Sequence, residues 1–164
     1  MNISKAAKPR RAPVLPTRHA GGSEAKEPII ALWRAADRMR ASFEAVFGPY
    51  GITGQQYNVL RILRGAGSEG LHTLTVADRM IERAPGITRM IDRLEAKGLV
   101  ARERCGVDRR CVYCRITGKG LELLKKLDRP VDEANEAAFA ALNPQELAQL
   151  VKLLERVRTT HEAA

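Results

Sequence analysis

Residues 73–120 read TLTVADRMIERAPGITRMIDRLEAKGLVARERCGVDRRCVYCRITGKG, and this stretch decides the fold. It divides into a short helix, a turn, a second helix, and two short strands joined by a basic tip. Thr75 followed by Asp78 has the form of a capping box, with Asp in the place usually taken by Glu. The helix it opens is expected to bury Val76, Ala77, Met80 and Ile81. Ala84-Pro85-Gly86 interrupts the pattern, and Pro85 suits the first position of a new helix. At about 100° per residue, Ile87, Met90, Ile91 and Leu94 gather on one side of that second helix. Thr88, Arg89, Asp92, Arg93 and Ala96 fall on the other, and Gly98 is placed to end the helix in a left-handed conformation.

The outward side is therefore polar and arginine-bearing, with Gly86 near its leading end, where backbone can approach a phosphate closely. A helix that enters a major groove needs these properties, because its first turns meet base edges while its rear face is held by a core. A solvated amphipathic helix shows the same pattern, so the following residues carry the distinction. Leu99–Arg104 and Arg110–Ile116 each read as a strand, with 105–109 as the turn. In the second strand Val112, Cys114 and Ile116 share one face, leaving Cys111, Tyr113 and Arg115 on the other. The turn projects Asp108, Arg109 and Arg110. Arginine on a narrow hairpin can reach into a minor groove, and a nearby carboxylate can orient it.

With these residues in place, the sequence resembles the MarR family of bacterial transcriptional regulators. The resemblance rests on Thr88-Arg89, Asp92-Arg93-Leu94-Glu95, Lys97-Gly98-Leu99-Val100, Asp108-Arg109-Arg110, and Ile116-Thr117 followed by Gly120. It covers about 50 residues strongly, with a weaker helical correspondence from Ile29 to Arg158. It implies a mainly α fold with a small β-hairpin wing: a winged helix-turn-helix, about 53–116, flanked by dimerisation helices at about 29–47 and 117–161. Pro85-Gly86 departs from the polar or hydroxyl residues that many relatives carry there. The DNA-binding candidates are Thr75, Pro85, Gly86, Thr88, Arg89, Asp92, Arg93, Asp108, Arg109 and Arg110.

Composition bounds the alternatives. The chain has 164 residues, 45% apolar, enough for one domain with a core. Aromatics make up only 4%, which argues against an RNA-binding surface of stacked rings. No apolar run reaches membrane-helix length and no secretory signal pattern is present, so a cytoplasmic, bacterial-type protein is expected. The net charge of +9 favours an anionic partner. Its distribution is more informative: residues 79–119 hold eleven Lys/Arg against five Asp/Glu, whereas residues 120–164 hold six against eight. Positive charge thus sits on the reading head, where phosphate contacts would make binding salt-dependent.

The flanks complete the frame. Residues 1–28 hold Pro9, Pro13, Pro16, Lys5, Lys8, Arg10, Arg11 and Arg18, and read as a flexible basic arm. Ile29, Leu32, Trp33, Ala36, Met39, Phe43, Val46 and Phe47 have helical spacing, ended by Gly48-Pro49. Thr53 with Gln56 forms a capping box for the next helix, which carries Tyr57, Leu60, Ile62 and Leu63. The segment from Leu71 to Leu74 can supply a short strand that pairs with the wing. Thr117 can cap a long helix containing Leu121, Leu124, Leu127 and Val131, which Pro130 should bend or divide. Asn143-Pro144-Gln145-Glu146 starts a last helix, striped by Leu147, Leu150, Val151, Leu154 and Val157. The terminal helices present more apolar face than a small head can cover, and a second subunit is the simplest cover. Such a homodimer would carry two heads and address double-stranded DNA with a roughly palindromic operator.

No catalytic or metal constellation emerges: His19, His72 and His161 have no nucleophile partnered to them in sequence, so neither an enzyme nor a cofactor is expected. Cys111-x-x-Cys114 has redox spacing, but residues three apart on a strand face opposite ways, and Cys114 reads as core. Cys105 and Cys111 flank the turn and offer an oxidant switch on the wing; reduced cytoplasmic thiols are the simpler reading. The resemblance also implies a small aromatic or phenolic effector, for which Trp33, Arg34, Met39 and Tyr57 are candidate crevice residues, although plain core packing is the preferred reading of them. The function expected is a dimeric, sequence-specific DNA-binding regulator, a repressor rather than an activator. A thiol-based redox protein and a winged-helix protein-interaction module are the alternatives.

Overall fold

Local signals fix most of the element boundaries. The computed structural model describes residues 26–82, 84–104 and 112–162. Helix α1 spans Lys26–Phe47 and gives way to a 3-10 turn, Gly48–Tyr50, where Pro49 cannot continue the ladder and Gly51 reverses the chain at φ 67°. Helix α2, Gly54–Gly65, opens on the Thr53 capping box: the Gln56 N–H donates to Thr53 Oγ1 at 3.3 Å and the Thr53 N–H donates to Gln56 Oε1 at 3.2 Å. Strand β1 is the pair Leu71–His72, followed at once by α3, Thr73–Asp78. Helix α4 covers Ile87–Ala96; strands β2, Val100–Arg104, and β3, Val112–Ile116, follow. Helices α5, Gly118–Ala138, and α6, Pro144–Glu162, close the chain.

The strands form one antiparallel sheet in the order β1-β3-β2, with Leu71 opposite Cys114 and Arg102 opposite Cys114 on the other side. The core lies where this sheet meets α2, α4 and α5. Val59, Leu60, Leu63, Val76, Ile91, Leu94, Cys114, Leu124 and Leu127 are wholly buried there. Helix α1 joins through Phe47, whose ring stacks on Tyr57 at 4.6 Å between centroids. An ion pair of 3.0 Å from Arg64 to Asp128 ties α2 to α5.

Several expectations are revised. Helix α3 begins at Thr73 rather than Thr75, because pairing of β1 with β3 holds His72 extended and the helix starts directly from it. Thr75 therefore lies inside α3, and no side chain caps that helix. The helix also stops at Asp78, so Ile81 falls beyond it and is 87% exposed instead of buried. Pro85 is not the first residue of α4. It occupies the turn closed by the Ile87 N–H on the Ala84 carbonyl at 3.0 Å, and Gly86 is the N-cap. Helix α1 starts at Lys26, inside the segment read as an arm. Pro130 does not divide α5, which continues past it as one helix. Residues 1–25, together with Cys105, Asp108, Arg109, Arg110 and Cys111, lie outside the described residues.

Gly120 marks the tightest approach in this frame. A Cβ there would collide with the Leu99 carbonyl oxygen and lie 2.7 Å from Ile116 Cγ1, whereas one at Gly118 would meet nothing within 4 Å. Gly120→Ala is therefore expected to lower stability by about 1–3 kcal/mol through forced backbone shifts, with Gly118→Ala near neutral. Thermal melts of the two variants beside the parent check this.

Candidate nucleic-acid interface

Amphipathic spacing gives α4 a buried back and an open front. Ile87, Ile91 and Leu94 are at most 7% exposed. Thr88, Arg89, Asp92 and Arg93 are exposed on the opposite side. The helix starts at Gly86, at φ −102°, after a turn in which Pro85 is also exposed. It ends in a paired reversal: the Leu99 N–H reaches the Leu94 carbonyl at 3.0 Å and the Gly98 N–H the Glu95 carbonyl at 2.7 Å, with Gly98 at φ 69°. This reversal sends the chain directly into β2, so the wing strand runs back along the helix that precedes it.

Charged contacts then fix helix against wing. Arg102, on β2, places its guanidinium 2.7 Å from Asp92 Oδ1 and 2.5 Å from Glu95 Oε2, and its backbone N–H donates to Glu95 Oε1 at 3.3 Å. The Arg102 hydrogen bond, aided by its charge, holds the Glu95 carboxyl below the usual range against a smaller opposing effect of burial. Within the sheet, Arg115 pairs with Glu103 and donates to the Ser68 carbonyl at 2.7 Å, anchoring the strands to the α2–β1 connection. Thr117 Oγ1 donates to the Gly98 carbonyl at 2.7 Å, holding the end of the wing to the end of α4.

Of the sequence-derived DNA contacts, Pro85, Gly86, Thr88, Arg89, Asp92 and Arg93 lie together on the leading turn and outer face of α4. Asp92 is engaged by Arg102, while Arg89 and Arg93 have no ion-pair partner among the described residues. Thr75 is half-buried on α3. The sequence reading missed Arg102 and Glu95. Their signal was present, since Asp92 and Glu95 stand three apart on one helix face and Arg102 is the first charge on the returning strand.

A cleft of about 1000 Å³ opens between α1, α2 and the α3–α4 loop. Met39, Phe43, Tyr57, Arg61 and Met80 contribute to its walls. Arg40 bridges it at 3.0 Å to Glu82, which also accepts from Gln55 Nε2 at 3.2 Å. Met39 and Tyr57 thus line the cleft, but Trp33 and Arg34 do not; Trp33 is 70% exposed on the outer face of α1, away from it. No group of three or more metal-ligating side chains is present among the described residues, and none of their helices is long and apolar enough to cross a membrane. Cys114 is fully buried, burial pushes its thiol pKa up, and Thr73 Oγ1 lies 3.5 Å away.

A helix with a polar, arginine-bearing front, braced by a three-stranded wing sheet, defines a winged helix-turn-helix DNA-binding protein. A profile described as the MarR family matches residues 52–112. The homoprotocatechuate degradative operon repressor of Escherichia coli is 30% identical over 126 residues, which are 77% of this chain and 84% of that one. A solved MarR transcription factor from Planctomyces limnophilus is 44% identical with a TM-score of 0.67, over 82% of this chain and 97% of that one. The structure of Bordetella bronchiseptica BpsR, whose DNA binding is regulated by 6-hydroxynicotinic acid, is 26% identical with a TM-score of 0.73, over 81% and 99%. The chain belongs to the MarR family: it is a DNA-binding transcription regulator and not an enzyme.

Because the folded Glu95 pKa is depressed, its contribution to stability is present above the unfolded carboxylate pKa of about 4.3 and is lost as pH falls through the lower folded value. Melting temperatures of the parent and Glu95→Gln, followed from neutral to acid pH, should differ at neutrality and converge in acid. A difference that stays constant with pH would exclude the coupling.

Proposed function

We propose that this regulator acts as a homodimeric repressor that reads a roughly palindromic operator through two copies of α4. The observation that carries this reading is the exposed Arg89, without an ion-pair partner among the described residues, beside Thr88 on the leading turn of a helix whose back is locked in the core. Thr88 and Arg89 read base edges in the major groove, with Pro85 and Gly86 setting the approach and Arg93 adding positive charge. Arg109 and Arg110, oriented by Asp108, enter the minor groove or grip phosphate.

Dimerisation is supported by apolar surface that this chain leaves open. Ile29, Leu32 and Trp33 on α1 and Val151, Leu154 and Val157 on α6 are all exposed, and no described residue of α6 is buried. Isolated exposed leucines need no explanation, whereas an apolar stripe along a whole helix marks an interface. A two-fold dimer would place its heads about 34–36 Å apart, the spacing of successive major grooves. Repression is supported by the operon repressor among the relatives.

The cleft beside α1 and α2 is the site for a small aromatic effector, which Met39 and Tyr57 would face, and the regulation of BpsR by 6-hydroxynicotinic acid supports that class of ligand. Trp33 and Arg34 are assigned to the dimer face of α1 instead. A redox pair of Cys111 with Cys114 is disfavoured, because Cys114 is inaccessible and its thiolate is destabilised by burial. The protein works in the cytoplasm, where its operator lies.

Selection from a random DNA pool should return a two-fold symmetric sequence. On that sequence Arg89→Ala is expected to lose about 1–3 kcal/mol of binding and to relax the base preference. A variant binding as tightly and selectively as the parent would exclude α4 as the reading helix. Leu154→Asp should give a monomer by sedimentation and abolish high-affinity binding, while a dimer of parental affinity would exclude α6 from the interface.

A further inference from the structure

We propose that Arg102 is a positioning residue for DNA recognition, which holds the Asp92 carboxylate away from the arginines of α4 and so keeps Arg89 available to DNA. The inference rests on the reading of α4 as the recognition helix and adds a residue outside that helix to its machinery.

The geometry is specific. Asp92 sits in the middle of the DNA-facing surface, three residues after Arg89, four after Thr88 and next to Arg93. Three-residue spacing on a helix is within ion-pair reach. A free Asp92 would therefore have Arg89 as its nearest cation, and it would also present a negative charge to phosphates. The first does not happen here, and a paired cation offsets the second. The Asp92 carboxylate accepts from the Arg102 guanidinium at 2.7 Å, and Arg89 has no ion-pair partner among the described residues.

Arg102 is itself held for this task. Its Nε donates to Glu95 Oε2 at 2.8 Å, its backbone N–H donates to the same carboxylate, and its position on β2 opposite Cys114 sets the stem beside a fully buried residue. Glu95 thus orients the guanidinium and Asp92 receives it. The Arg102 side chain is 29% exposed against 49% for Asp92, so the cation is the better buried and better fixed partner. A lysine cannot copy the arrangement, since a single ammonium lacks the planar fork that reaches two carboxylates.

The test uses the full-length protein and the DNA sequence it selects from a random pool. Arg102→Gln should weaken binding about tenfold, and adding Asp92→Asn should return affinity to within about threefold of the parent. In an Arg89→Ala background, Arg102→Gln should have little further effect, because the arginine it protects is gone. If Arg102→Gln melts too early to assay, Arg102→Lys carries the same comparison, with a loss that Asp92→Asn again restores. Parental affinity in Arg102→Gln, or a deficit that Asp92→Asn leaves unchanged, would overturn the proposal. Failure of Arg89→Ala to weaken binding would instead overturn the recognition-helix reading, so the two failures are distinguishable. A purely structural role for Arg102 predicts no rescue, since Asp92→Asn restores none of the contacts that Arg102→Gln removes.

Discussion

The burial of three side chains on the back of α4 governs where the groups of that helix proposed to face DNA go. Ile87, Ile91 and Leu94 are held by the core, and helical geometry then leaves Thr88, Arg89 and Arg93 no inward option. Gly98 fixes the next step, because its left-handed conformation lets the chain turn straight into β2. The wing therefore follows from how the helix ends: β2 leaves the helix terminus and β3 returns to Thr117, whose hydroxyl bonds back to the Gly98 carbonyl. Gly120 allows α5 to start against Leu99 and Ile116, which closes the loop between α4, the wing strands and α5.

Polar contacts refine this apolar arrangement. Pairs as exposed as those of Arg102 or Arg64 add modestly to stability, since water and salt screen them. Their value is geometric. Arg64 with Asp128 registers α2 on α5, Arg115 registers the sheet on the α2–β1 connection, and Arg102 registers the wing on α4. The Arg40–Glu82 bridge does the same across the cleft, and Glu82 lies on the loop that leads into α4. A group bound in that cleft would touch the segment that leads into α4 as well as α1, so the cleft and the approach to α4 share a wall.

Much of this was legible in the residues because the relevant signals are local. The Thr53–Gln56 box, the Asn143–Glu146 start and the left-handed Gly98 each depend on side chains within three or four positions, and each is realised in the structure. The α4 stripe was readable for the same reason. What failed depended on distant partners. Thr75 looked like a helix start because the strand expected from Leu71 was carried to Leu74, whereas β1 ends at His72 and α3 starts directly from it. Ile81 looked buried because periodicity cannot show that α3 ends at Asp78. Trp33 and Arg34 lie on a helix whose apolar residues divide between the cleft and the outer face, and one-dimensional spacing cannot assign them to either. The Arg102 cluster was overlooked because its members were read separately, Asp92 as a DNA contact and Arg102 as an ordinary strand residue.

The two surfaces of the chain cannot exchange roles, and that asymmetry constrains the assembly. Residues 79–119 carry a surplus of six positive charges, and residues 120–164 a deficit of two. Most of the large apolar side chains left exposed lie on α1 and α6, with Leu74 and Ile81 exposed on and just after α3. Helices α1 and α6 are close to neutral, with seven Lys/Arg against six Asp/Glu between them, so phosphates gain little there compared with the arginine-bearing front of α4. In the proposed dimer, two copies would meet through this apolar stripe, where charge opposes contact least.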